Sequence, residues 1–346
     1  MKAVLALLLS FLLPAAGPAP SDVLLVIDGN SRILLFDPKS GAALASVGVG
    51  EVAHEVEVTA DGTTAVVSNY GESGDPGRTL TLIDLDRRMA SGTIDLGEGT
   101  RPHGMEALPN GQILVVAEGT KELLVVDPRS RSVVSRIATG LVGSRLVAAT
   151  PDGSRAFVTS NRSGTGSVTA VDLRPPKVVR DIVTALGAEG IDVTPDGREV
   201  WVTNSDANKV SVLEARGLGI VATLLAPRFP TRVKITPDGK YALVACTESG
   251  DVAVIETTTR KEVKRLPIAR EAGMRIRAQI ARGGVPELPQ PISLLIEPDG
   301  SHAWVGSANS SVVCYVDLRN LYVAGSLNAG RDPGALAGRF GKRFAR

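Results

Sequence analysis

Aromatic residues are scarce in this chain. Six Phe, four Tyr and two Trp make up 3% of 346 residues. A core built from this sequence must rest on Val, Leu, Ile and Ala rather than on rings. A surplus of one charge is missing too. Thirty-eight Lys and Arg stand against 37 Asp and Glu, a net charge of +1, which supplies no electrostatic footprint for nucleic acid or an anionic membrane. There are only two cysteines, Cys246 and Cys314. No Cys-x-x-Cys-His is present for c-type haem, and no cysteine cluster for an iron–sulfur centre. No Gly-x-Gly-x-x-Gly follows a strand and opens a helix, so a Rossmann cofactor is excluded. Gly164-Thr165-Gly166-Ser167 lies in a hairpin loop, not at a nucleophile elbow. The cofactor is therefore left unknown.

Long hydrophobic runs are absent after the first twenty residues. Residues 3–13 are apolar except for Ser10, follow Lys2 and precede Pro14-Ala15-Ala16-Gly17. Eleven residues are too few to span a bilayer as a helix. The order of charge, apolar run and small residues reads as a secretory signal peptide over residues 1–19. The expected location is periplasmic or secreted, with no membrane span left after cleavage. An oxidising compartment permits a disulfide, but the two cysteines fall in different repeats and read as separate buried thiols.

What is plentiful is Gly (37) and Pro (21), the punctuation of many short strands. The punctuation is periodic. Ala60-Asp61-Gly62, Pro109-Asn110-Gly111, Pro151-Asp152-Gly153, Pro195-Asp196-Gly197, Pro237-Asp238-Gly239 and Pro298-Asp299-Gly300 place glycines 49, 42, 44, 42 and 61 residues apart. Pro fixes φ, Asp caps the turn through its carboxylate, and Gly takes the positive φ. Apolar stretches flank each turn, and two more follow before the next. Four short antiparallel strands per repeat with no helix between them make a propeller blade. Residues 23–49 read as a blade lacking its first strand. Arg331-Asp332-Pro333-Gly334-Ala335 resembles Arg101-Pro102-His103-Gly104-Met105, so the C-terminal segment is expected to supply that strand. The prediction is an all-β, seven-bladed β-propeller over residues 20–338, closed by a C-terminal strand that completes the first blade. A basic tail follows over 339–346. The 61-residue spacing marks an insertion at 268–290, either a lid or a plain loop.

The second strand of the repeat carries Val200-Trp201-Val202-Thr203-Asn204, with looser copies at Phe157-Val158-Thr159-Ser160 and Val66-Val67-Ser68-Asn69. In this the chain resembles the YVTN-repeat β-propellers, over about residues 23–337. That resemblance implies the fold. Relatives include surface-layer proteins, propellers associated with quinone-dependent dehydrogenases, and lactonase-like hydrolases, and the fold does not choose among them.

A propeller brings the start of each inner strand to one mouth of its channel. Seven residues before each turn Asp or Asn stand His54, His103, Arg145, Glu189, Thr231 and Ile292, with Pro333 the seventh; Glu55, Gly104, Leu146, Gly190, Arg232 and Ser293 follow. Two of the three histidines share this position. Three readings stay open. A non-catalytic, monomeric propeller would bind a protein partner or a small anionic ligand through Arg101, Arg145, Glu189, Arg232 and Arg331. A lactonase-like hydrolase would use His54 or His103 as general base with an arginine on the oxyanion. A transition-metal site would join His54, His103 and Glu189 or Glu55. His302, just after a turn, reads as a surface residue. Glu57, Glu106, Asp192 and Lys234, further down the inner strands, read as partners between blades.

Overall fold

A computed structural model describes residues 22–29, 31–162, 164–270 and 289–341. The proposed signal peptide, most of the 268–290 insertion and residues 342–346 lie outside the described residues. Seven four-stranded antiparallel sheets form a ring. The inner strands are Pro333–Arg339 in blade 1, Ala53–Val58 in blade 2, Pro102–Ala107 in blade 3 and Ser144–Ala149 in blade 4. Ala188–Val193, Pro230–Ile235 and Gln290–Ile296 serve blades 5 to 7. Each packs on the inner strand of the next blade, and the seventh packs back on the first. The C-terminal strand pairs antiparallel with Val23–Asp28, with Leu25 opposite Ala337. The first blade is thus completed by the end of the chain, as the repeat predicts.

The closing strand runs through Arg339, one residue past the boundary at which composition places the tail. Arg339 is buried, and its Nη1 donates to Asp86 Oδ1 at 2.6 Å. The residue that reads as the start of a basic tail is therefore a tie between blades 1 and 2.

The core follows from the composition. Layers of Val, Leu, Ile and Ala fill the interfaces between sheets, with Trp201 and Phe157 the largest fully buried rings. Cys246 and Cys314 are buried in blades 6 and 7 without a disulfide. The turn aspartates act as capping groups. Asp152 Oδ1 accepts from Thr150 Oγ1 at 2.6 Å and from Ser154 N at 3.0 Å, and these bonds, Thr150 first, hold its carboxyl at about 2.

The mouth end has its own local rule. Every blade carries a register shift where the inner strand meets the mouth: Ala53/Val56, Pro102/Met105, Ser144/Val147, Ala188/Ile191, Pro230/Arg232, Pro291/Ser293 and, in the closing blade, Val26/Asp28. A bulge leaves a backbone N–H without a ladder partner. The repeat's Ser or Thr answers it. Thr203 Oγ1 accepts from Gly190 N at 2.7 Å, Thr159 Oγ1 from Leu146 N at 3.0 Å, and Ser68 Oγ from Glu55 N at 2.9 Å. Ser68 and Thr159 then donate across to the next blade, to His103 O and Glu189 O. The Thr of the motif is thus a clamp between blades. In blade 7 the roles are exchanged. Gly306 stands at the Thr position, and Ser293 Oγ of the inner strand occupies the space and donates to Gly334 O at 2.7 Å.

Inner strands also approach each other closely at the axis. A Cβ on Gly104 would meet Arg145 O at 2.5 Å, and one on Gly190 would meet Thr231 O at 2.6 Å. These two positions require glycine.

Candidate functional site at the channel mouth

The residues entering the inner strands of blades 2, 3 and 6 hold left-handed backbone angles: Val52 at φ 50°, Arg101 at 51° and Phe229 at 57°. That conformation is uncommon for residues with a Cβ, and together with the following bulge it turns the first side chains of each strand toward the mouth. Of the residues the sequence nominates, the structure brings together His54, His103, Arg101, Arg145, Glu189 and Arg232. The His54 and His103 rings lie 4.0 Å apart, tilted by 49°. Arg145 Nη1 is 3.4 Å from His103 Nε2, and Arg145 Nε is 3.7 Å from Glu189 Oε2. Arg232 reaches from blade 6 across the channel to an ion pair with Glu55 of blade 2 and donates through Nε to Ile292 O at 3.1 Å. Arg331 is exposed, and among the described residues its hydrogen bonds are backbone ones, with Asp28 and Gly29.

Two mouth residues escaped the repeat-based reading. Tyr70 packs against both histidines, 5.1 Å from His54 and 5.3 Å edge-on to His103. Its hydroxyl donates to Glu118 Oε2 at 2.6 Å, and Arg101 lies over its ring at 4.5 Å. Both sit at the end of a second strand, where the chain has returned to the mouth. Counting along inner strands alone cannot find them. The available signal was a tyrosine, one of four, directly after the Asn of the motif.

The electrostatics sort the groups. His103 is buried, and burial with the positive charges of His54, Arg145 and Arg232 holds its imidazole well below the ordinary histidine range. It is neutral at pH 7. A guanidinium only donates, so His103 Nε2 accepts from Arg145 and Nδ1 carries the proton. A backbone hydrogen bond with Arg145 works weakly against the lowering of His103. Among the described residues the buried atoms Arg101 Nε, Arg145 Nε and His54 Nδ1 make no hydrogen bond. Burial raises Glu55, but Arg232 and His54 outweigh it and hold the carboxyl at about 2. Burial raises Glu189 against the pull of Arg145. Among the described residues no group of three or more His, Cys, Asp or Glu is arranged to hold a metal ion.

Below the Glu55–Arg232 bridge lies a cavity of about 50 Å³, lined in part by Glu57, Glu106 and Lys234, room for about one water. Asp192 Oδ2 accepts from Ile235 N of the next blade at 2.7 Å, and Lys234 Nζ lies 3.9 Å from Asp192 Oδ1. These are partners between blades, as their repeat position predicts. One lysine faces three acids. Burial, then the charge of Glu106, raises Glu57 to about 8. Burial raises Glu106 to about 7, with Lys234 opposing and Asp192 adding. A carboxyl raised in the fold stabilises fully below its unfolded value and loses that contribution as pH rises through the folded value. Glu57→Gln is therefore expected to match wild type near pH 4.5 and to exceed it by about 2 kcal/mol or more near pH 8. His103 acts with the opposite sign, losing stability as pH falls below the ordinary histidine range, but it is common to both proteins and cancels in the difference. Urea midpoints at the two pH values provide the check; a difference independent of pH refutes the assignment.

Fold and repeat together define a seven-bladed β-propeller, and its repeat resembles the YVTN type. Residues 110–275 match the family model of the YNCE-like β-propellers. No curated protein matches the chain. Among solved structures, a functionally unknown protein from Desulfotomaculum acetoxidans DSM 771 superposes with a TM-score of 0.73 at 15% identity, covering 92% of this chain and 98% of that one. Hydrazine synthase from Kuenenia stuttgartiensis gives 0.68 at 19% identity, over 89% of this chain and 99% of that one. At such identities the likeness is one of fold.

Proposed function

We propose that the chain is an exported, non-catalytic propeller that binds an acceptor-rich anion, a carboxylate or phosphate on a small molecule or partner protein, at the channel mouth. The observation that carries this is the pair of buried guanidinium nitrogens, Arg101 Nε and Arg145 Nε, that make no hydrogen bond among the described residues, although Arg145 Nε stays within ion-pair range of Glu189. Buried donors left unmatched are costly, and an anion would satisfy both together through charge-assisted bonds. His54 and Arg145 each expose a third of their side chains, which leaves the cluster reachable. Export rests on the sequence of the first nineteen residues. Calorimetric titration with inorganic phosphate and with citrate at low salt is expected to show saturable binding that weakens as salt is added. Arg145→Gln should weaken it by about tenfold or more, the cost of about 1.5–3 kcal/mol for a charge-assisted bond. Absence of binding by either anion sinks the reading.

The neutral imidazole of His103 beside Arg145 also suits a general base next to an oxyanion donor. A panel of lactones and esters decides between the two readings. Turnover lost in His103→Ala would replace the binding reading with a hydrolase.

A further inference from the structure

At the other end of the ring, where blade 7 meets blade 1, lies a cleft of about 400 Å³. In a chain with 3% aromatics, Trp304, Tyr315 and Phe340 gather there with His302. His302, which reads from sequence as a plain surface residue, stacks on Tyr315 at 4.5 Å and 20°. Tyr315 in turn lies 4.7 Å from Trp304. Phe340 folds back over the closing strand, and its ring occupies the space that a Cβ on Gly338 would need.

Glu297 also lines this cleft. Its side chain is only 9% exposed. Oε1 accepts from Trp304 Nε1 at 3.1 Å, and Oε2 lies 3.6 Å from His302 Nδ1. That histidine nitrogen is engaged elsewhere. Ser301 Oγ gives its single proton to Asp299 Oδ1 at 2.6 Å, so His302 Nδ1 donates to Ser301 Oγ at 2.7 Å. Lys39, at the rim, pairs with Asp22 at 3.2 Å. Among the described residues no Lys or Arg forms an ion pair with Glu297. With a histidine in place of a permanent cation, the buried carboxylate stays costly, and aromatic rings attract the cation that would match it.

We propose that this cleft binds a small organic cation, an alkylammonium or quaternary ammonium group, with Glu297 as its counter-charge and the aromatic side chains as its wall. A neutral polyol would leave the Glu297 charge uncompensated. The site is independent of the channel mouth, lying at the turn end of the blades.

Only two tryptophans exist, Trp201 and Trp304, and Trp201 is fully buried between other blades. Trp304 emission in a Trp201→Phe background therefore reports on the cleft. The full-length protein is titrated with choline, with its neutral isostere 3,3-dimethylbutan-1-ol, and with glucose. Choline should saturate the signal, and the isostere should bind about tenfold or more weakly, the scale of a desolvated cation–aromatic contact with its counter-charge. Glu297→Gln, which keeps an acceptor for Trp304, should bring choline down to the isostere. Equal binding of choline and isostere, a preference for glucose, or no saturation with choline overturns the proposal. If the Gln variant does not fold, the charged and neutral probes on Glu297-containing protein decide alone.

Discussion

Arg232→Met is expected to destabilise the propeller by about 3–5 kcal/mol, the scale on which a buried ion pair loses one partner. The thermal midpoint should drop by about 5–7 °C for a domain of this size. The pair joins residues 177 positions apart, from blade 6 to blade 2 across the channel, and both side chains are largely buried. Removing the guanidinium strands the Glu55 carboxylate in a buried site and takes the donor from Ile292 O. In wild type Glu55 has a depressed value of about 2. Its contribution is complete above the unfolded carboxylate value and is lost as pH falls toward the folded one. Without Arg232 only His54 still opposes burial, so the depression of Glu55 should shrink. The variant should then show less loss of stability on acidification than wild type does. Glu55→Gln combined with Arg232→Met removes the stranded charge and should recover most of the loss. A double-mutant cycle with coupling below about 1 kcal/mol would show that the pair is not the tie described here.

The ring, the blade count and the closing strand were legible because they rest on local chemistry repeated at a fixed interval. Pro-Asp-Gly at the hairpins gives the period, and Arg331-Asp332-Pro333-Gly334 repeats the entry to an inner strand. The mouth was legible in part for the same reason. Equivalent repeat positions converge on one axis, so His54, His103, Arg145, Glu189 and Arg232 could be nominated from spacing alone. The same logic also nominated Arg331, which has a different setting. Its equivalent, Arg101, lies over Tyr70, a ring that blade 2 supplies to the neighbouring blade, whereas the Arg331 side chain is exposed. Tyr70, Glu118 and the His302–Tyr315–Trp304 stack depend on which residues two different strands bring to one rim or one cleft. That information lies in the pairing of strands and blades, not in a period along the chain. Arg339 was lost among the basic residues of the terminus for the same reason, since its partner Asp86 is 253 positions away.

Truncation after Asp332 is expected to abolish cooperative folding rather than to weaken it. The segment removed is an entire inner strand, Pro333–Arg339. Its ladder to Val23–Asp28 pairs Leu24 with Gly338, Leu25 with Ala337 and Val26 with Leu336. Each backbone hydrogen bond contributes about 1 kcal/mol net, which for one ladder already approaches the about 5–15 kcal/mol that holds a whole domain. More is lost with it. Val23, Leu24, Leu25 and Val26, now at 0% exposure, would become an apolar edge strand without a partner, a template for aggregation. The inner strands of blades 2 and 7 would each lose the neighbour on which they pack, and Asp86 would lose Arg339. The seventh blade would also lose the Gly334 carbonyl that accepts from Ser293. Circular dichroism and size exclusion of the truncated chain should show no sharp melting transition and large soluble aggregates. Adding the missing segment as a separate peptide should restore the transition, since the strand is held by noncovalent contacts alone. A truncated protein that melts sharply within a few degrees of the full chain would mean that the ring does not depend on its closing strand.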